Sequence, residues 1–200
     1  MDLNGKTGIE QALGLLGELM AARGERLRIV VIGGAAMNLL GFVSRATTDV
    51  DILAFGTPDG AASDGTPTIV EPPAPLPDWL VRDIQIVAQD AGLDRLWLNC
   101  GPAGQWKQGL PPGLASRIEW RAFGPLQVGL VGRLDLIYFK LYAAADQTGP
   151  ESVHFQDLLA LRPKAAELLA AEVWVRQQDP SPGFVDVLRK VAIHAERLAQ

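Results

Sequence analysis

The chain is poor in cysteine and histidine, with one cysteine and two histidines among 200 residues. The lone cysteine, Cys100, excludes an internal disulfide framework and fits a reducing compartment. No apolar run approaches the roughly 20 residues that a membrane-spanning helix needs. The first residues also lack the basic and apolar regions of a secretory signal peptide. We therefore expect a cytoplasmic protein that does not enter a membrane.

Basic residues are also scarce, because 18 lysines and arginines stand against 23 acidic residues and leave a net charge of −5. A protein that coats nucleic acid in general needs a basic surface, so the charge disfavours that class. A local basic groove remains compatible with it. Because 48% of the residues are apolar, a chain of this length can bury a sizeable core.

Hydrophobic periodicity predicts an α+β (α/β) fold. Short β-branched runs alternate with helical patterns up to residue 132, and helical patterns alone follow. We predict a mixed β-sheet flanked by helices in residues 1–132. We expect residues 133–200 to form a helical region packed on that core, within one compact unit.

A segment rich in Gly, Pro, Asp and Ser, Gly56–Trp79, predicts a long loop with a brief strand at Thr68–Val70. Loops of this length in compact domains are usually functional or mobile. A helix is predicted to follow over Asp78–Ala91, with Asp78 as its N-cap.

Two aspartates, Asp49 and Asp51, lie in a stretch, T-D-V-D-I-L-A-F, that otherwise reads as a buried strand. Side chains alternate along a strand, so both carboxylates are expected on one face, with Val50 and Ile52 on the other. Burying two unpaired carboxylates is costly, and a divalent cation between them removes that cost. Mg²⁺ prefers oxygen ligands and is held by one or two carboxylates together with substrate phosphates. Bridging carboxylates of this kind can also hold two ions.

Two glycines, Gly33 and Gly34, follow an apolar run and precede a predicted helix. Without side chains they let the backbone approach a triphosphate, and the N–H groups at the helix start can face its oxygens. Arg45 and Thr47 lie just before Asp49, so we expect both to reach the same nucleotide-binding pocket. Neither the G-x-G-x-x-G dinucleotide fingerprint nor a Walker A loop occurs. A lone Gly-Gly or D-x-D is a weak signal, but their order here is more specific.

That order resembles the signature of the polymerase-beta-type nucleotidyltransferase superfamily. The chain also resembles small bacterial nucleotidyltransferase-like proteins of unassigned function that are related to the AbiEii-like toxins of type IV toxin–antitoxin systems. The resemblance extends over most of Leu27 to Trp174. Three stretches carry it: IGGAAMNLLGFVSRATTDVDIL, LWLNCGP with LPPGLASRIE, and GRLDLIYFKLYAAADQ with HFQDLLALRP.

The resemblance implies a nucleotidyltransferase-type sheet and assigns roles to residues in both parts of the chain. Asp49 and Asp51 would be catalytic metal ligands, and Gly33 and Gly34 would line the nucleotide phosphates. From the helical region, Lys140 would meet a phosphate as a catalytic and nucleotide-binding residue, and Asp157 would complete the catalytic site.

The chemistry implied by the resemblance is Mg²⁺-dependent transfer of a nucleoside monophosphate from an NTP. One or two ions would assist, and pyrophosphate would leave. The acceptor is a hydroxyl group of an RNA, a protein or a small molecule, and the sequence leaves these three open. The resemblance also implies a cognate toxin or antitoxin protein as partner.

An alternative interpretation keeps the fold but not the catalysis. Many active members of the superfamily have Gly-Ser where this chain has Gly33-Gly34, and many carry a third carboxylate on a neighbouring strand. Here Glu119 is the obvious candidate, yet it alternates with Arg117 and Arg121 as on a solvated strand face. These departures favour a weakly active or inactive module that binds a nucleotide or a protein partner.

Overall fold

The computed structural model describes residues 3–61, 67–147 and 151–199. The chain divides into two compact units. The first comprises Met1–Trp106 and Gly113–Val131, and the second comprises Lys107–Pro112 and Gly132–Gln200.

The first unit contains helices and a mixed sheet. Its elements in chain order are α1 (Gly5–Arg23), β1 (Leu27–Ile32), α2 (Gly33–Leu40), β2 (Val50–Ala61), β3 (Pro67–Val70), α3 (Asp78–Ala91), β4 (Leu98–Asn99), β5 (Glu119–Phe123) and β6 (Leu126–Leu130). Short 3-10 helices at Gly101–Lys107 and Leu114–Arg117 occupy a stretch that reads as a loop in the sequence.

Within the described residues the sheet has six strands, with the order β3-β2-β1-β6-β5 and β4 added beside β2. β1 pairs with β2 in antiparallel and with β6 in parallel orientation, and β5 pairs with β6 in antiparallel orientation. The central strand β1 buries Ile29 to Ile32 without alternation. A strand covered on both faces is expected to read as a continuous apolar run.

The local signals of α1 are those of an amphipathic helix. Ile9, Leu13, Leu16 and Met20 are fully buried, at a spacing that places them on one face. Gly24 ends the helix in the left-handed conformation, with φ 71°. A glycine adopts this conformation without the penalty that a Cβ would impose.

The predicted α+β fold with a C-terminal helical region is confirmed, but some boundaries differ. β2 begins at Val50 and continues to Ala61, so part of the predicted loop is strand. The expected brief strand at Thr68–Val70 lies within β3, while residues 62–66 of that loop are outside the described part. Asp78 is the first residue of α3 and not its N-cap, a position held by Pro77.

The second unit is helical, with α4 (Arg133–Asp146), α5 (Val153–Ala160), α6 (Ala165–Gln178) and α7 (Pro182–Ala199). Arg133 fastens the start of α4 to the α5–α6 connection: its guanidinium donates to the carbonyl oxygens of Leu161 and Arg162 and to both oxygens of Glu167. The hydrogen bond from Arg133 lowers the pKa of Glu167 below its ordinary value. None of the described helices is long and apolar enough to cross a membrane.

Two glycines of α1 test how this helix packs. A Cβ added at Gly17 would collide with the carbonyl oxygen of Phe123 in β5, whereas one added at Gly14 would have no atom within 4 Å. Gly17→Ala is therefore expected to destabilise the protein by about 1–3 kcal/mol through overpacking. Gly14→Ala is expected to stabilise it by about 0.5–1 kcal/mol through helix propensity. Urea denaturation measures both, and similar gains for the two variants would contradict the packing of α1 against β5.

Candidate functional site

The turn from β1 into α2 lies beside Asp51 because of strand pairing. In the antiparallel register of β1 and β2, Ile32 is opposite Asp51. Gly33 follows with φ 74°, and a Cβ built on it would lie 2.8 Å from Asp51 Oδ2. This position therefore needs glycine for two reasons: the backbone conformation, and the space taken by the carboxylate.

Gly34 makes the second close approach. A Cβ built on it would lie 3.0 Å from Thr47 Oγ1 and 3.5 Å from Arg45 Nη2. The structure thus brings five of the predicted residues together, and we call Gly33, Gly34, Arg45, Thr47 and Asp51 the glycine–aspartate pocket. The sequence reasoning placed these residues in one site from their order alone.

Asp49 lies between Thr47 and the start of β2, and its backbone carbonyl accepts a hydrogen bond. It is half-buried and directly precedes β2. The Thr47 hydroxyl donates to the Asp49 carbonyl oxygen at 3.4 Å, and Thr47 itself exchanges two backbone hydrogen bonds with Leu3. Because regular strand geometry starts only at Val50, the shared face of Asp49 and Asp51 stays a prediction.

The first turn of α2 offers backbone donors to the pocket. The N–H groups of a helix's first turn lack intrahelical partners. Ile32 occupies the N-cap position, and its hydrocarbon side chain cannot accept a hydrogen bond from them. Gly33 and Gly34 are partly exposed, so these donors lie where an anion can approach. The positive end of the helix dipole adds to that attraction.

Asn38 is a site residue that sequence reasoning missed. Its side chain is 1% exposed, donates through Nδ2 to the Gly34 carbonyl at 3.0 Å and accepts the Arg45 backbone N–H at 3.2 Å. Asn38 therefore positions the first turn of α2 relative to the Arg45 segment. The available signal was a single amide in an otherwise apolar helix, G-G-A-A-M-N-L-L.

Neither residue paired with Asp51 on the neighbouring strands is acidic. Its partner on β1 is Ile32, and its partner on β4 is Asn99. Glu119 on β5 is opposite Leu130 of β6, and Leu130 is opposite Val31 of β1. Glu119 is therefore three strand spacings, or about 14 Å, from β2. In the described ranges, no group of three or more His, Cys, Asp or Glu residues could hold a metal ion. Glu119 is exposed, as the solvated-face interpretation expected.

The donor groups of the pocket residues are of the kinds that bind a magnesium nucleotide. Mg²⁺ needs one or two protein carboxylates when substrate phosphates and water supply its other oxygens. Asp51 provides one carboxylate directly beside the backbone of Gly33, and Asp49 is two residues away in the sequence. Arg45 and the α2 donors suit the phosphates. With two acids, the donor set suits one ion better than two.

In the second unit, Lys140 and Asp157 pair with each other. Lys140 Nζ lies 2.7 Å from Asp157 Oδ2, and both side chains are almost fully buried. A carboxylate therefore already balances this ammonium group within the helical unit. Roles for Lys140 at a phosphate and for Asp157 in catalysis stay predictions.

The chain matches no protein-family model, and comparisons with curated proteins and with solved structures likewise found no match.

Gly33→Ala should be strongly destabilising, because the variant combines a strained positive φ with a collision against Asp51. Gly41→Ala is the matched control: φ is 81° there, but nothing lies within 4 Å of the added Cβ. We expect Gly33→Ala to lose about 1–3 kcal/mol more than Gly41→Ala in urea denaturation. Adding Asp51→Ala should recover part of that difference. Equal losses for the two alanine variants would place Asp51 away from Gly33.

Lys140→Met should cost about 3–5 kcal/mol, because it leaves the Asp157 carboxylate buried without its ammonium partner. The double variant Lys140→Met/Asp157→Leu should recover most of this loss, since an apolar pair of similar volume replaces the ion pair. Chemical denaturation of the four proteins in the cycle measures the coupling. Additive losses would show that the two groups do not interact.

Proposed function

We propose that this chain is an Mg²⁺-dependent nucleotidyltransferase that binds an NTP in the glycine–aspartate pocket and transfers a nucleoside monophosphate to a hydroxyl acceptor. One observation carries the proposal. The carboxylate of Asp51 lies against Gly33 at the start of α2, where a side chain would collide with it. This arrangement supports a site that holds a metal-bound phosphate close to the backbone.

The start of α2, Arg45 and the two aspartates have roles that their positions support. The N–H groups of the first turn of α2 bind phosphate oxygens, and Arg45 neutralises part of their charge. Asp51 and Asp49 would hold the metal ion, and Mg²⁺ would supply charge neutralisation and orientation of the triphosphate. In the transfer, the acceptor oxygen would bond to the α-phosphorus, the bond to pyrophosphate would break, and the hydroxyl proton would pass to solvent water. Lys140 and Asp157 are proposed contributors from the helical unit.

A second candidate is a nucleotide-binding or partner-binding module of the same kind that does not turn over. The observation that favours it is the pair of strand neighbours of Asp51, Ile32 and Asn99, neither of which is acidic. The acceptor, whether RNA, protein or small molecule, and a cognate toxin or antitoxin partner are proposals that rest on the sequence resemblance. A cytoplasmic location is likewise proposed.

Nucleotide binding tests the pocket directly. Calorimetry with a non-hydrolysable NTP analogue should show binding with Mg²⁺ and a loss of about tenfold or more when the metal is chelated. Asp51→Asn and Asp49→Asn should each lose a similar factor. Asp90→Asn, at an exposed position of α3, is the matched control and should bind as the parent does. Equal binding by all variants would place the nucleotide elsewhere.

Turnover separates the two candidate functions. The protein is incubated with α-labelled NTPs, Mg²⁺ and cell lysate or total RNA. Label transfer by the parent that Asp51→Asn abolishes supports the enzyme. Nucleotide binding without transfer supports the nucleotide-binding module, and the absence of both contradicts the enzyme and the nucleotide-binding module together.

A further inference from the structure

The exposed side of α3 lies between two adjoining cavities of the first unit. One has a volume of about 600 Å³ and is walled by the Pro73–Leu76 segment and by Leu96 and Leu98. The other has a volume of about 560 Å³ and is lined by arginines. Gln85 and Arg95 line both cavities, so the two adjoin along these side chains. We call them the apolar half and the arginine half of the α3 groove.

The apolar half has the character of a ligand pocket. Its volume is within the range of about 300–1,000 Å³ that is usual for small-molecule sites. Leu96 at its edge is 70% exposed, a cost to the isolated protein that an apolar ligand would remove. Burial raises the pKa of the Cys100 thiol in the wall to about 11, so at neutral pH the thiol is an uncharged lining group.

The arginine half carries unbalanced positive charge. Arg23 pairs with the buried carboxylate of Asp83 at 2.7 Å. Arg82 and Arg95 are exposed, and in the part of the chain that the structure describes no acidic group lies within ion-pair distance of either. This local excess occurs in a chain whose net charge is −5. An anion is therefore the complementary occupant.

Asp94, the acidic residue that lines the apolar half, is hydrogen-bonded within the protein. Asp94 Oδ1 accepts the backbone N–H of Leu96 at 2.7 Å, which fixes the turn between α3 and β4. Its carboxylate therefore holds the wall in place. Arg95, which follows Asp94 in the chain, would repel a cationic ligand. Arg82 and Arg95 both line the arginine half and would attract an anionic ligand.

We propose that the α3 groove binds one molecule of an anionic amphiphile, with its hydrocarbon chain in the apolar half and its carboxylate or phosphate group at Arg82 and Arg95. The inference does not depend on the proposed nucleotide chemistry, because no residue of the glycine–aspartate pocket lines the groove. The groove also reaches Asn99, which is paired with Asp51 on the neighbouring strand.

The test uses dodecanoate below its micelle-forming concentration as the probe, with dodecanol and dodecylammonium as matched neutral and cationic probes. Calorimetry should show one dodecanoate per chain, bound about tenfold or more tighter than dodecanol, with no dodecylammonium binding. The Arg82→Gln/Arg95→Gln variant should lose that preference. Arg189→Gln, at an exposed arginine of α7, is the control and should retain it.

Location is tested through the single cysteine of the chain. Saturating dodecanoate should slow maleimide modification of Cys100 in the parent but not in the Arg82→Gln/Arg95→Gln variant. Leu96→Asn, a change at an exposed position, should weaken dodecanoate binding severalfold. Dodecanol binding as tightly as dodecanoate, an unchanged rate of Cys100 modification, or binding seen only with anionic lipid vesicles would each overturn the proposal.

Discussion

The antiparallel pairing of β1 with β2 is the constraint on which the candidate site depends. It sets Asp51 opposite Ile32, so the carboxylate lies against the first glycine of α2. The pleat and the register determine this closeness, and the glycine makes it sterically tolerable. Asn38 then holds Arg45 and the first turn of α2 in place through two partly buried hydrogen bonds. An acidic and a basic side chain thus lie beside the first turn of α2: Asp51 next to Gly33, and Arg45 next to Gly34.

Sequence patterns predicted what depends on nearby residues. Apolar runs located β1 and the start of β2, and the order from Gly33 to Asp51 predicted the five pocket residues. The full length of β2 escaped prediction, because turn-forming residues continue as strand once β3 supplies a partner. Local propensity cannot reveal such a partner.

Features that depend on contacts between residues far apart in the chain also could not be predicted from the sequence. Ile32 and Asn99 lie on either side of Asp51 in the sheet. This arrangement follows from the strand order and register and could not be read from the order of residues along the chain. The buried pairing of Lys140 with Asp157 depends on the packing of α4 against α5. The α3 groove likewise combines segments on either side of a helix with Arg23 of α1. Residue types alone gave no reason to group these side chains.

The central claim is that Asp51 and the Gly33 turn together hold a metal-bound nucleotide, and paramagnetic relaxation tests it most directly. Mn²⁺ added in small amounts with an NTP analogue should broaden the backbone amide resonances of Gly33, Gly34 and Asp51 first. Asp51→Asn should remove that selectivity. Broadening centred on other residues, or broadening unchanged in Asp51→Asn, would contradict the account.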